Sequence, residues 1–183
     1  MKSRYTRALR GALIAIAAAE RSDFVNFGSS ATVITVAPKQ PLNFAAGTAL
    51  NLSVTGTAYL ASLGDALLGN IVVSGETRIK VRGSIVNAST TSAAIDTDTL
   101  TLEASSGGIG MIANANGGYD DQPLRLAVHT GKAVVARAQA GIDITSAATL
   151  NIDTVFSPND IKLTSTDGSL LNANGDLLIN ILG

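Results

Sequence analysis

The sequence predicts an all-β chain folded as a parallel β-solenoid, and three observations carry that expectation. The first is a recurring unit of alternating apolar and polar residues, a Gly-containing turn and a further apolar residue. It reads Leu100-Thr101-Leu102-Glu103-Ala104-Ser105-Ser106-Gly107-Gly108-Ile109, and again Ile161-Lys162-Leu163-Thr164-Ser165-Thr166-Asp167-Gly168-Ser169-Leu170. A looser copy with a shorter turn is Ile79-Lys80-Val81-Arg82-Gly83-Ser84-Ile85. Recurrence of one unit at intervals of about 20 residues is the mark of stacked repeats. The second observation is the apolar content of 46%, drawn from Ala, Leu, Ile and Val, beside only 4% aromatics and no Trp. Small and β-branched side chains suit a narrow, regular interior with little room for rings. The third is the lack of long helical windows in the body, which excludes a βαβ fold with its crossover helices. A sandwich of antiparallel strands is the other all-β arrangement. The recurring strand-turn unit favours the solenoid, in which coils share one apolar interior.

Two segments are expected, 1–28 and 29–183. Residues 1–28 hold a basic stretch from Lys2 to Arg10 and the apolar run Leu13-Ile14-Ala15-Ile16-Ala17-Ala18-Ala19. That order resembles a secretory signal, and the run is too short to span a membrane. An Ala-rich helix is the alternative, since Ala is the strongest helix former. In the solenoid segment, Thr32-Val33-Ile34-Thr35-Val36 reads as a strand, ended by Pro38 and Pro41. Leu50-Asn51-Leu52-Ser53-Val54 alternates cleanly. Ala58 to Leu68 fits a short helix or strands, and Gly56 and Gly64 favour strands. Ile71-Val72-Val73, Ile79-Lys80-Val81 and Ile85-Val86 follow as strands. Asn87 to Thr99 reads as a loop, and Met111 to Asp121, with Asn114, Asn116, Gly117 and Gly118, as an insertion thrown out from the stack. Leu124 to Val128 and Lys132 to Ala138 are joined at His129-Thr130-Gly131. The last strands are Ile142 to Thr145, Leu150 to Val155, Ile161 to Leu163, Leu170-Leu171 and Leu177 to Leu182. Alternation points Ile144 and Leu163 inward and Asp143 and Lys162 outward. The apolar run Leu177 to Leu182 is expected to leave an open coil face that associates with a second chain or with further repeats.

The net charge of −1 hides an asymmetry. Residues 1–21 hold five basic residues and one acid, whereas residues 22–183 hold eight basic and thirteen acidic residues. A mildly acidic body with scattered basic residues and no interleaved aromatics argues against nucleic acid. Cysteine is absent, which excludes a disulfide scaffold and a thiolate metal site.

No residue is expected to act in catalysis or to bind a cofactor or metal. His129 is the single histidine and reads as a surface turn residue, with no context for a Ser-His-Asp triad. Asp96-x-Asp98 and Asp120-Asp121 offer oxygen ligands of the kind calcium takes. The tandem nonapeptide of calcium-binding rolls is missing, so these read as solvated loops. Asp143, Asp153, Asp160 and Lys162 could meet on one outer sheet, as the acids and bases of β-helix lyases do. They read more simply as a solvated outer face. Phosphate-binding and zinc-protease motifs are absent.

Residues 97–180 resemble the repeats of filamentous haemagglutinin-like large exoproteins of bacteria. The resemblance rests on Leu100 to Gly110, Gln122-Pro123-Leu124-Arg125-Leu126, Gly141-Ile142-Asp143-Ile144-Thr145 and Ile161 to Ala173. Gly108-Ile109-Gly110 and Asp167-Gly168-Ser169-Leu170 stand in that family's turn positions. Residues 1–45 do not match its amino-terminal secretion domain. The resemblance implies a right-handed parallel β-helix at the cell surface or secreted. It would be a structural rod segment of an adhesin or exoprotein that binds a protein or glycan on a host or neighbouring cell. The alternative is a carbohydrate-active β-helix enzyme such as a polysaccharide lyase.

Overall fold

The computed structural model describes residues 14–18, 21–27, 30–31, 42–43, 49–128, 132–175 and 179–183, with backbone alone for the first three stretches, Leu42 and Val128. The described residues are all β, without a helix, and form a parallel solenoid of about 6 turns. The strands are β1 (Ile14–Ala18), β2 (Arg21–Phe27), β3 (Ser30–Ala31), β4 (Leu42–Asn43), β5 (Leu50–Val54) and β6 (Ala58–Ser62). There follow β7 (Ala66–Val81), β8 (Ile85–Asn87), β9 (Ile95–Ala104), β10 (Met111–Ala113), β11 (Tyr119–Asp121) and β12 (Leu124–Val128). The last are β13 (Ala133–Ala138), β14 (Ile142–Ser146), β15 (Leu150–Phe156), β16 (Ile161–Ser165), β17 (Leu170–Asn172) and β18 (Ile181–Leu182).

Each coil contributes one stretch to each of two parallel faces. Coil 1 is β5 and β6, coil 2 is β7, and coil 3 is β8 and β9. Coil 4 runs from Ile109 through β13, coil 5 is β14 and β15, and coil 6 is β16 to β18. On one face Leu52, Ile71, Ile95 and Leu126 lie in register, and Leu124, Ile144 and Leu163 form another column. On the other face Leu60, Ile79, Leu102, Ala136 and Val155 lie in register. All of these except Leu163 are buried, and Leu163 packs partly buried against the same core. Period-two alternation puts every second residue into the interior, and in-register stacking sets it on its counterpart one coil away. Burying each such Leu, Ile or Val contributes about 1.5–3 kcal/mol.

β7 and β9 run across both faces, so a corner falls within each. There the buried hydroxyls of Thr77 and Thr97 lie 2.8 Å apart, and the Thr97 hydroxyl lies 2.7 Å from the Gly75 carbonyl, to which it can donate. Stacked side chains also tie the turns together. Asp65 Oδ1 accepts from the Ser84 amide at 2.7 Å, and the Ser84 hydroxyl accepts from the Gly108 amide at 3.1 Å.

Several expectations are refined. The strand alternative holds for Ala58 to Leu68, which supplies β6 and the start of β7. The separate strands at Ile71 and Ile79 are parts of one bent β7. The loop expected over Asn87 to Thr99 is confined to residues 88–94, with strand at both of its ends. Asn87 closes β8, β9 starts at Ile95, and Asn87, Ile95 and Thr97 are buried. The Asn87 side chain is matched by backbone groups of Pro123 and Arg125 and the Thr97 hydroxyl by Thr77 and Gly75, which sequence composition alone does not reveal. Met111 to Asp121 is indeed an outward insertion, folded as the antiparallel hairpin β10–β11. In residues 1–28 the described parts are the antiparallel strands β1 and β2, with β2 antiparallel to β5. Sheet pairing there overrides the helix propensity of Ala. The rest of the helical or signal-like segment, the strand at Thr32 to Val36, Pro38, Pro41 and His129 lie outside the described residues.

The columns set a test of the register. Leu102→Ala, in the middle of the stack, should cost about 2–5 kcal/mol in urea unfolding. Ser53→Ala, on the outward side of β5, should cost under about 0.5 kcal/mol. Similar losses at the two positions would contradict the assigned faces.

Candidate functional site

Two strands break the inside-outside alternation, and they mark the site. In β8 and in the first half of β14 every residue is buried. Val86 and Asp143 occupy outward positions, yet they are only 2% and 1% exposed. The isolated pairings Ile85↔Ile109 and Ile109↔Ile142 place Val86, Gly110, Asp143 and Lys162 in one outward column. The expectation that Asp143 faces solvent is therefore corrected. Its direction is outward as alternation requires, but it is buried beside the point where the insertion leaves the stack at Gly110 and returns at Gln122.

The hairpin leaves the stack at Gly110, whose φ of 69° lies in the left-handed region. A β-carbon there would collide with the Asp143 carbonyl and the Leu124 amide, so glycine is needed for both conformation and close approach. Met111 folds back against the backbone of Gly108 and Gly141. At the hairpin's far strand, the Tyr119 hydroxyl approaches the Ser106 carbonyl at 3.5 Å, and Asp121 Oδ2 lies 3.8 Å from Lys162 Nζ. The hairpin thus works as a strap, reaching from the turn after coil 3 to coil 6. Asn87 receives the returning chain. Its Nδ2 donates to the Pro123 carbonyl at 2.7 Å, and its own carbonyl accepts from Gln122 Nε2 at 2.9 Å.

Beneath the strap, Lys162 Nζ donates to Asp143 Oδ2 at 2.9 Å, with the lysine side chain 60% exposed and the carboxylate 2% exposed. Asp143 Oδ1 is buried without a hydrogen-bond partner. The hydrogen bond from Lys162 to Asp143, and then the charge of Asp143, hold the lysine pKa above its ordinary value of 10.5. Such a lysine stays an ammonium ion and is a poor proton acceptor.

Of the residues grouped from sequence, the structure joins Asp143 and Lys162 and adds Asp121. Asp160 is exposed and supplies its backbone carbonyl to the Ile142 amide at 2.9 Å. Asp153 lies on β15, on the other face, with Oδ1 accepting from the Thr154 hydroxyl at 3.0 Å. The acidic pairs are likewise engaged. Asp98 meets Lys132 at 3.6 Å, and Asp120 Oδ1 accepts from Asn114 Nδ2 at 2.8 Å. Among the described residues, no three His, Cys, Asp or Glu side chains gather as a metal-holding group. Elsewhere the outer face carries Lys80–Glu103 at 2.7 Å and Arg78–Glu76 at 2.6 Å, with Arg78 5.2 Å over the Tyr59 ring. Neither Asn87, at the start of the expected loop, nor Gln122, at the start of a stretch quoted for the resemblance, is given a docking role from sequence. Gln122-Pro123 directly after an insertion was the available signal for a docked return.

Lys162→Met should destabilise the chain more than Lys80→Met, because it strands a covered carboxylate rather than an exposed one. Hydrogen exchange should also rise over residues 111–121. The raised pKa makes this stabilisation fully present below the ordinary lysine value of 10.5 and lost as pH rises through the folded-state value. The stability gap between wild type and Lys162→Met should therefore close in strongly alkaline buffer. The paired change Asp143→Leu with Lys162→Met should recover much of the loss, and an additive double loss would refute the pairing.

No family model, no curated protein and no solved structure matches this chain.

Proposed function

We propose that this chain is a structural rod segment of a bacterial cell-surface or secreted adhesin or exoprotein, binding through its extended outer faces without catalysis. The observation that supports this reading most is how outer-face charges are placed. Among the described residues several are paired across neighbouring coils, as in Lys80–Glu103, Lys132–Asp98 and Lys162–Asp143. Glu103 lies in register between Lys80 and Arg137, so opposite charges alternate along the stack. Such ladders stiffen and solubilise a repeat array and leave its surface and strap as contact elements. The partner is a protein or glycan on a host or neighbouring cell.

A second reading, a carbohydrate-active enzyme, draws on the Asp143–Lys162–Asp121 group. The protonated lysine and the covered carboxylate weigh against it. Incubation with polyuronates, with and without Ca²⁺, separates the two. The rod reading expects saturable retention on cells or immobilised glycans and no chain cleavage. Release of unsaturated oligosaccharides that is abolished in Asp143→Asn would overturn it.

The last coil presents Leu170, Leu171, Ile179, Ile181 and Leu182 to solvent, and of these Leu170 and Ile181 continue the buried positions of Leu150 and Val155. Self-association of two copies through this coil belongs to the same proposal, since coils stack on coils elsewhere in the fold. Sedimentation should show a concentration-dependent dimer, weakened by Ile179→Lys with Ile181→Lys. A monomer at high micromolar concentration would contradict it.

A further inference from the structure

The chain contains one tetrapeptide twice, Asn114-Ala115-Asn116-Gly117 at the tip of the strap and Asn172-Ala173-Asn174-Gly175 in coil 6. The two copies fold alike. In each, the first Asn accepts through Oδ1 from the amide of the second, at 3.0 Å for Asn116 and 2.9 Å for Asn174. In each, the glycine has a positive φ, 78° at Gly117 and 94° at Gly175. The surroundings of the second Asn differ. Asn116 is exposed, and its side-chain amide has no hydrogen-bond partner among the described residues. Asn174 is half-buried. Its Nδ2 donates to the Asp153 carbonyl at 2.6 Å, and its Oδ1 is buried.

We infer that Asn116 is a site of spontaneous deamidation and that Asn174 is the protected twin. Glycine offers no side chain to hinder attack by its own amide nitrogen on the preceding side-chain carbonyl carbon. At the strap tip the Gly117 nitrogen loses its proton and bonds to Asn116 Cγ, and Nδ2 leaves as ammonia. The resulting five-membered imide is opened by water at one of its two carbonyls. The products are aspartate, or isoaspartate with the backbone rerouted through Cγ. Overall one water is consumed and one ammonia released, with no change in oxidation state. The step breaks only the 3.2 Å bond from the Gly117 amide to the Asn114 carbonyl. At Asn174 the same rotation must also free Nδ2 from Asp153.

The conversion changes the strap. It adds a negative charge near Asp120 and Asp121. Isoaspartate also lengthens the backbone inside the turn, where Asn114 Oδ1 holds the Gly118 amide at 3.0 Å and the Asn114 amide meets the Gly118 carbonyl at 2.9 Å. The tip is thus an irreversible, age-dependent switch from a neutral ordered turn to an acidic, loosened one.

The test is peptide mapping by mass spectrometry of the intact folded chain during incubation in neutral buffer, beside a sample held in urea. In urea the two identical tetrapeptides should convert at similar rates. In the folded chain Asn116 should convert roughly tenfold faster than Asn174, the factor that about 1.4 kcal/mol of retained hydrogen bonding represents. Asn116→Gln should abolish the fast conversion and leave that at Asn174 unchanged. Equal rates at the two sites in the folded chain would overturn the inference, as would an Asn116 that stays intact while the urea sample converts.

Discussion

Every coil must present the same cross-section at the same height as the coil beneath it. The column Leu60, Ile79, Leu102, Ala136 and Val155 illustrates the demand, because each side chain rests on the one before and supports the one after. A ring would overfill such a layer and a charge would be stranded in it, which accounts for a chain so poor in both. The same demand governs the corners. The adjacent hydroxyls of Thr77 and Thr97 satisfy polar groups at a bend where apolar residues would leave backbone carbonyls bare.

Insertions are tolerated only when they leave through the outer surface and return in register. The hairpin between Gly110 and Gln122 does this with three devices. Gly110 permits departure, Asn87 fixes the return, and Lys162 ties the far strand down. Covering part of the outer face has an energetic cost, visible in the unpartnered Oδ1 of Asp143. A buried acceptor left unmatched costs about 1–3 kcal/mol. Covering Val86 in the same column offsets part of it, since an apolar side chain gains where a carboxylate loses.

The solenoid was legible because its evidence is local and repeated. Period two, the Gly turns near 83, 107 and 168 and the Leu, Ile and Val at matching steps are present in the linear order of residues. The insertion at 111–121 was legible for the same reason, as a burst of Asn and Gly in an otherwise regular text. The burial of Asp143 was not. Its strand, Ile142-Asp143-Ile144, reads as a half-buried strand, and its burial depends on the neighbouring coil, where the insertion departs at Gly110. Asn87 was hidden likewise. Beside Ser and Thr it reads as loop, and only its pairing with the returning chain at Pro123 and Arg125 makes it an interior residue. Local pattern specified the coils, whereas contacts between non-adjacent segments specified the site.

A pure stack behaves as a one-dimensional system in which each unit senses its immediate neighbours, so melting proceeds like a zipper from an end. The strap adds a longer-range term. Lys162 belongs to coil 6 and Asp121 to the insertion in coil 4, while that insertion lies over Val86 in coil 3. Opening the last coil therefore also slackens a clasp whose other end covers the middle of the stack. Fraying that would stay local in a simple array thus reaches the strap as well, weakly, because an exposed pair 3.8 Å apart is largely screened by water.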